Sequence, residues 1–361
     1  MVYTYDEQIV LPMREKLKYL SQNDKVFHII FAEQFDRQAL DFICRIATIL
    51  RKIGGSRAGR DYLRTLLSHK SAMLYFTQPS TRTFLSFVRA CQFLGINYAE
   101  VRDPNISSFY KGETETDGIR TFSNYFDLII MRHHEGGLAE RVAYMMSEIG
   151  SKIPVINGGA GPDEHPTQAL LDIYTLQRSF EKRSKGMDGI HVGFLGDVAR
   201  GRTVRSLARL LIHYDAKITF IAPSELAIKD DLRTWLERNQ ADYYETTKLS
   251  DVIDDLDAVY VTRIQDEYGS EGDAIDIDYS PYYLTPADVD KMKQDAVIMH
   301  PLPRRGELAP EIDFNHRARY WEQEINGMWA RAALVAYLFN VESHILDYYS
   351  RHHSSGSSEN K

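Results

Sequence analysis

Ala72-Met73-Leu74-Tyr75-Phe76 is a short apolar run; Gln78-Pro79-Ser80 interrupts it, and Phe84, Phe87, Val88, Cys91 and Leu94 then recur at helical spacing up to Gly95. Five consecutive apolar residues bounded by turn residues suit a strand buried on both faces, and the spacing that follows puts one side of a helix against it. Strand, polar turn and helix make one βα unit. The alternation continues downstream, with apolar strands predicted near 190–195, 217–222, 258–262 and 296–300 and a helical stretch carrying Val204, Leu207, Ala208 and Leu211. The second half therefore reads as a doubly wound α/β domain. Upstream, Leu40, Ile43, Cys44, Ala47 and Leu50 before Gly54-Gly55 predict an amphipathic helix with a glycine stop. Ser224 and Thr285-Pro286 read as helix N-caps, and 326–349, with Trp329, Ala333, Ala336, Tyr337 and Asn340, as one long closing helix.

A chain of 361 residues is enough for about two domains and a substantial core, and two domains imply a cleft. Lys plus Arg number 43 against 51 Asp plus Glu, a net charge of −8, which excludes a protein whose main task is to coat a nucleic acid. With 43% hydrophobic and 26% charged residues the composition is that of a globular chain. No apolar run approaches the ~18 residues of a membrane span, and Met1-Val2-Tyr3-Thr4-Tyr5-Asp6-Glu7 is no basic leader, so a cytoplasmic protein with no membrane partner is expected. Cys44 and Cys91 are the only cysteines, too few for a disulfide framework or a thiolate metal cage. Residues 1–25 and the Ser-rich end are expected to be mobile.

In a parallel sheet, ligands bind outside the carboxyl ends of the strands, so the residues just after each strand carry the chemistry. Ser80-Thr81-Arg82-Thr83 offers three hydroxyls, a guanidinium and the N–H groups of a helix start, either a phosphate site or a helix cap with a solvated arginine. Arg132, after Leu128-Ile129-Ile130, and His165, in His165-Pro166-Thr167-Gln168, are donors suited to a carbonyl or phosphoryl oxygen, and Gln168 can accept from an amide. A lone histidine at a helix start is more often a satisfied structural group than a catalyst, and His133-His134 lacks the carboxylate spacing of a metal site. Gly196-Asp197-Val198-Ala199-Arg200-Gly201-Arg202-Thr203 follows a strand but lacks G-x-G-x-x-G, so no dinucleotide cofactor is expected, and Arg202 is placed instead for an anion. Arg263 and Gln265 alternate onto one face after another strand, beside His300-Pro301-Leu302-Pro303-Arg304, as a carboxylate clamp or simply an exposed strand end.

Taken together, S-T-R-T at 80–83, K-G-E-T at 111–114 and H-P-T-Q at 165–168 resemble, in order and spacing, the aspartate and ornithine carbamoyltransferases, from about residue 26 to about 345. The resemblance implies two domains, each a mostly parallel sheet with helices on both faces. Residues 26–167 with the helix 326–349 would form a carbamoyl-phosphate domain and 168–325 an aspartate domain, after an extension 1–25 and before a flexible tail 350–361. It implies that Ser80, Thr81, Arg82 and Thr83 hold the phosphate of carbamoyl phosphate, and that Thr83, Arg132 and His165 polarise its carbonyl. Gln168 and the carbonyls of Pro301 and Leu302 would hold its amino end, and Arg202, Arg263 and Gln265 the carboxylates of L-aspartate, with Lys111 and Leu302 also on the aspartate side. Lys111 and Ser107 would reach into a neighbouring subunit of a homotrimer with shared sites, which leaves room for a regulatory chain or a higher assembly. The implied reaction is carbamoyl transfer in pyrimidine synthesis, with no cofactor and no metal.

The aspartate branch fits better than the ornithine one, whose enzymes typically carry cysteine where Pro301 stands. Three departures stand out: Gln78 replaces a glutamate, Phe84 and Val88 replace an arginine and a glutamate, and 268–284 is acidic and rich in tyrosine. They keep two alternatives open, another amine or ureido acceptor and a catalytically silent binding partner.

Overall fold

The computed structural model describes residues 5–23, 25–103, 114–160, 164–184, 186–263 and 278–353. The chain divides into two compact units, one formed by Met1–Leu171 with Gly327–Lys361 and the other by Asp172–Asn326. The first begins with α1 (Tyr5–Ile9), α2 (Met13–Leu20) and a short antiparallel pair, β1 (Ser21–Gln22) and β2 (Lys25–Val26). Then come α3 (Arg37–Ile53), α4 (Arg57–Leu63), β3 (Ser71–Phe76), α5 (Thr81–Leu94), β4 (Asn97–Val101) and α6 (Glu115–Phe122). β5 (Leu128–Arg132), α7 (Leu138–Glu148), β6 (Val155–Asn157) and α8 (Pro166–Phe180) follow, and strands β3 to β6 lie parallel in the order β4-β3-β5-β6.

The second unit contains β7 (His191–Leu195), α9 (Arg202–Leu211), β8 (Lys217–Ile221), α10 (Asp230–Arg238), β9 (Tyr243–Thr246) and β10 (Ala258–Val261). With α11 (Pro286–Val289) and β11 (Val297–Met299) it completes five parallel strands in the order β11-β10-β7-β8-β9. The last helices are α12 (Tyr320–Leu338) and α13 (Glu342–His353).

Unbroken apolar runs became strands because the central strands are covered on both faces: every residue of β5 and of β7 is buried. In the first unit Met73, Tyr75, Ile129 and Met131 pack with Leu138, Val142 and Met146 of α7. In the second, Leu195, Ile221, Val259, Val261 and Ile298 pack with Leu284, Leu308 and Tyr320. The five residues that predicted α3 are all buried, and Asp36 caps it by accepting from the Ala39 amide at 2.7 Å. Its stop glycine is needed for space: Gly54 has an ordinary φ of −65°, but a Cβ there would lie 2.5 Å from the Trp329 ring. Cys44 and Cys91 are both buried, and burial pushes the Cys91 thiol up to about 12, which makes it inert.

Four expectations change. The expected mobile start is folded from residue 5: Leu20 is fully buried, and the ammonium of Lys16, itself buried, lies 2.7 Å from Glu140 of α7. Ser224 caps no α-helix; it begins a single 3₁₀ turn, Ser224–Leu226, and α10 starts only at Asp230, after Ala227 has turned extended. The closing helix is two helices, because Asn340 sits at φ 55°, a left-handed conformation that asparagine tolerates, while Lys25 Nζ bonds Asn340 Oδ1 at 2.7 Å and Glu342 Oε1 at 2.8 Å. The tail expected from 350 is helical through His353, and 354–361 lie outside the described residues. Thr285, by contrast, forms the full capping box with Asp288.

One buried group makes stability depend on pH. His28 is fully buried and accepts at Nδ1 from the Val155 amide at 3.1 Å, and burial pushes its pKa from 6.5 down to about 3. Above pH 6.5 the imidazole is neutral folded or unfolded; below it the unfolded chain takes a proton that the folded chain refuses until about pH 3, so stability falls across that window. The expected loss from this group is about 2 kcal/mol between pH 7 and pH 5. His28→Asn keeps an acceptor for the Val155 amide and flattens the decline in a Tm-against-pH profile; equal slopes in both proteins would remove His28 as the cause.

Candidate active site

Each described candidate lies at or just after the carboxyl end of a strand in its own sheet, where doubly wound folds bind ligands. In the first unit, Ser80 precedes α5 in extended conformation, and its hydroxyl does not cap the helix. Thr81 and Arg82 are exposed, whereas Thr83 is buried. An arginine in the first turn works against the helix dipole unless an anion sits there, and that turn holds no acidic residue. The Ser80 side chain thus does not serve as a helix cap, while the exposed Arg82 suits either reading.

Arg132 is the last residue of β5, and His165 immediately precedes α8; both are buried. Thr83 Oγ1 lies 3.3 Å from His165 Nε2, and Arg132 Nη1 donates to the Gly158 carbonyl at 3.3 Å. A Cβ at Gly159 would lie 2.8 Å from His165 Nε2 and 2.9 Å from Arg132 Nη1, so the imidazole and the guanidinium meet over this glycine. Three polar side chains from three strand ends thus converge, and Gln168 lies one helical turn along from His165. The arrangement can bind an anion and donate to a carbonyl oxygen beside it.

Sequence reasoning missed the residues that shape this corner. Asn157 Oδ1 accepts from the Gly159 and Ala160 amides at 2.8 and 2.7 Å, and Nδ2 donates to the Ile30 carbonyl at 3.1 Å. Glu164 accepts from the Ala32 amide at 2.7 Å. The Asn157-Gly158 dipeptide was a readable turn signal. The departures also have places. Phe84 packs edge-on against Phe76 at 5.4 Å with the Arg102 guanidinium 4.6 Å above it, and Val88 is buried beside them in α5. Gln78 donates from its backbone to the Arg132 carbonyl at 3.2 Å, and its Oε1 is buried without a hydrogen-bond partner among the described residues.

In the second unit, Arg202 is the first residue of α9, again with no acid in the first turn, and Arg263 follows β10. Pro301 and Leu302 follow β11. The turn there is held by His300: its Nδ1 accepts from the Leu302 amide at 2.8 Å, and its Nε2 lies 2.8 Å from Glu307 Oε1. Burial pushes the Glu307 carboxyl up, but hydrogen bonds from His300 and from the Arg305 and Glu307 amides outweigh it and hold the pKa below the usual range. Ser107, Lys111, Gln265 and the 268–277 part of the acidic stretch lie outside the described residues. Among the described residues no three His, Cys, Asp or Glu side chains are grouped to hold a metal ion, and no helix is long and apolar enough to cross a membrane.

Two family models cover this chain: the aspartate/ornithine carbamoyltransferase carbamoyl-P binding domain matches residues 28–178, and the Asp/Orn binding domain matches 188–338. The chain belongs to the aspartate/ornithine carbamoyltransferase family. Within that family it is 40% identical to aspartate carbamoyltransferase 1, chloroplastic, of Pisum sativum, over 88% of this chain and 80% of that protein. It is 38% identical to the aspartate carbamoyltransferase catalytic subunit of Methanospirillum hungatei, over 85% of this chain and 98% of that one. Among solved structures, the aspartate transcarbamoylase of Trypanosoma cruzi in complex with carbamoyl phosphate and aspartate superposes with a TM-score of 0.75 at 31% identity, covering 86% of this chain and 96% of that one. The catalytic subunit of M. jannaschii aspartate transcarbamoylase gives 0.75 at 32% identity, covering 88% and 99%. Both parallel-sheet units of this carbamoyltransferase-family chain are thus accounted for.

Proposed function

We propose that this chain transfers the carbamoyl group of carbamoyl phosphate to the amine of L-aspartate, giving N-carbamoyl-L-aspartate and phosphate, a step of pyrimidine synthesis. The observation that carries the reading is the convergence of Thr83, Arg132 and His165 beside a helix start that holds Arg82 and an uncapping Ser80. Ser80, Thr81, Arg82 and Thr83 take the phosphate; Thr83, Arg132 and His165 donate to the carbonyl oxygen as it gains charge. Gln168 and the carbonyls of Pro301 and Leu302 take the amino end. Arg202, Arg263 and Gln265 take the two carboxylates of aspartate, and Lys111 with Ser107 serves a neighbouring subunit of a homotrimer. That trimer, room for a regulatory chain and a cytoplasmic location all belong to the proposal; they rest on the resemblance and the composition.

In the reaction the amine lone pair forms the new N–C bond, the C–O bond to phosphate breaks with its electron pair, and the amine proton leaves with phosphate in the overall balance. No side chain forms a covalent bond. Holding both anions in register contributes about 7–11 kcal/mol, and donors aimed at the oxyanion about 3–4 kcal/mol. The test is product formation from carbamoyl phosphate with L-aspartate and, in parallel, with L-ornithine. Carbamoyl aspartate alone supports the reading. Product with ornithine alone transfers it to the other branch, and no product with either amine overturns it.

A further inference from the structure

Tyr75 is fully buried in β3, and its hydroxyl donates to Glu115 Oε2. The other oxygen of that carboxylate, Oε1, lies 3.3 Å from Nε2 of His133, the residue immediately after Arg132, a close approach without hydrogen-bond alignment. His133 is 2% exposed, lies nearly parallel to the Tyr75 ring at 6.2 Å, and accepts at Nδ1 from the Glu135 amide at 3.1 Å. A ring nitrogen that accepts an N–H bears no proton, so the hydrogen bonding assigns the hydrogen of the neutral imidazole to Nε2, facing Glu115. Burial holds this imidazole below its ordinary pKa, against the pull of the Glu115 and Glu135 carboxylates and with a smaller push from His134.

Carbamoyl transfer as described above makes no use of Glu115. It is the first residue of α6, a place where any carboxylate is favoured, and Thr114 already caps that helix through the Asp117 amide at 3.2 Å. A carboxylate serving only the helix end would stay in water. This side chain is 27% exposed and turned toward two buried partners, Tyr75 on β3 and His133 just beyond the end of β5. One of those strands, β3, leads into Ser80-Thr81-Arg82-Thr83, and the other, β5, ends at Arg132. The Gln78 amide on the Arg132 carbonyl ties the same two strand ends a second time.

We propose that Glu115, hydrogen-bonded by Tyr75 and lying against His133, is a positioning residue for Arg132: it fixes the direction in which the end of β5 presents the guanidinium to the carbamoyl carbonyl oxygen. This rests on the carbamoyl-transfer reading. A misplacement of about 1 Å in such a group costs roughly a hundredfold in rate, so a tether to the strand end acts on turnover before it acts on folding. Glu115→Gln leaves Tyr75 an oxygen to bond but sets an amide NH₂ against the Nε2 hydrogen of His133.

The test measures steady-state kinetics and Tm for Glu115→Gln, Tyr75→Phe, His133→Leu and His133→Gln in the full-length protein. Glu115→Gln and His133→Leu are expected to lower kcat about tenfold or more, with KM for aspartate within about twofold. Tyr75→Phe falls between these and the unaltered protein. His133→Gln, whose carboxamide N–H reaches where Nε2–H does, stays within about threefold of it. The inference is overturned by near-unaltered kcat in both Glu115→Gln and His133→Leu, by losses that only track a lower folded fraction, or by His133→Gln failing as badly as His133→Leu. Carbamoyl aspartate from the unaltered chain with an indifferent Glu115→Gln removes this inference alone; no carbamoyl aspartate from the unaltered chain removes the parent reading as well.

Discussion

Arg82→Ala lowers kcat/KM for carbamoyl phosphate by about a thousandfold and leaves Tm within a degree or two of the unaltered protein. Two charge-assisted hydrogen bonds from a guanidinium to phosphate contribute roughly 3–6 kcal/mol, and each 1.4 kcal/mol is tenfold in rate. Stability is spared because Arg82 is exposed in the first turn of α5, where a cation opposes the helix dipole and its removal gives back a few tenths of a kcal/mol. Arg82→Lys keeps the charge and loses the planar fork, so it falls between the two. Kinetics with carbamoyl phosphate as the varied substrate, alongside a melting curve, separates the effects. A well-folded Arg82→Ala with near-unaltered kcat/KM would take phosphate binding away from the 80–83 segment.

Gly159→Ala is expected to be nearly as damaging, by a different route. Gly159 has φ +94°, and a Cβ would lie 2.6 Å from His165 Cδ2, 2.8 Å from His165 Nε2 and 2.9 Å from Arg132 Nη1. Both neighbours are buried, and the turn itself is held by Asn157, so the methyl group must displace the imidazole or the guanidinium. Losing one aimed donor lowers kcat about 10²–10³-fold, and backbone strain at positive φ adds about 1–3 kcal/mol of destabilisation. The two parts are read separately, as kcat per folded molecule and as Tm. A Gly159→Ala protein that melts lower but turns over normally would show that the side chains can give way.

The fold was legible where chemistry and burial agree. The unbroken run Ala72-Met73-Leu74-Tyr75-Phe76 read as a strand covered on both faces, and the polar residues after it were the ones left to meet a ligand. What the sequence hid was tertiary. Ser224 has a cap residue's chemistry, but Ala227 turns extended before a helix can grow. Asn340 sits within an apolar helical pattern, and only Lys25, more than 300 residues earlier, reveals why the chain turns there. Tyr75 reads as one more core aromatic inside a strand; nothing local announces that its hydroxyl meets Glu115. Gly159 is silent for the opposite reason, since its role is the space it leaves.

The first unit is discontinuous along the chain, taking Met1–Leu171 and then Gly327–Lys361, while the second is the uninterrupted stretch Asp172–Asn326. On the ribosome this reverses the order of completion. The segment Met1–Leu171 waits for Gly327–Lys361, whose helices supply Trp329 against Phe93 at 4.6 Å, Tyr337 against Phe42 at 6.4 Å and Tyr348 stacked on Tyr62 at 3.8 Å. The second unit has its whole sequence in hand before any of them emerges. A nascent chain stalled short of Gly327 therefore holds one finished body and one with an open apolar face, which is the surface a chaperone or a protease would meet.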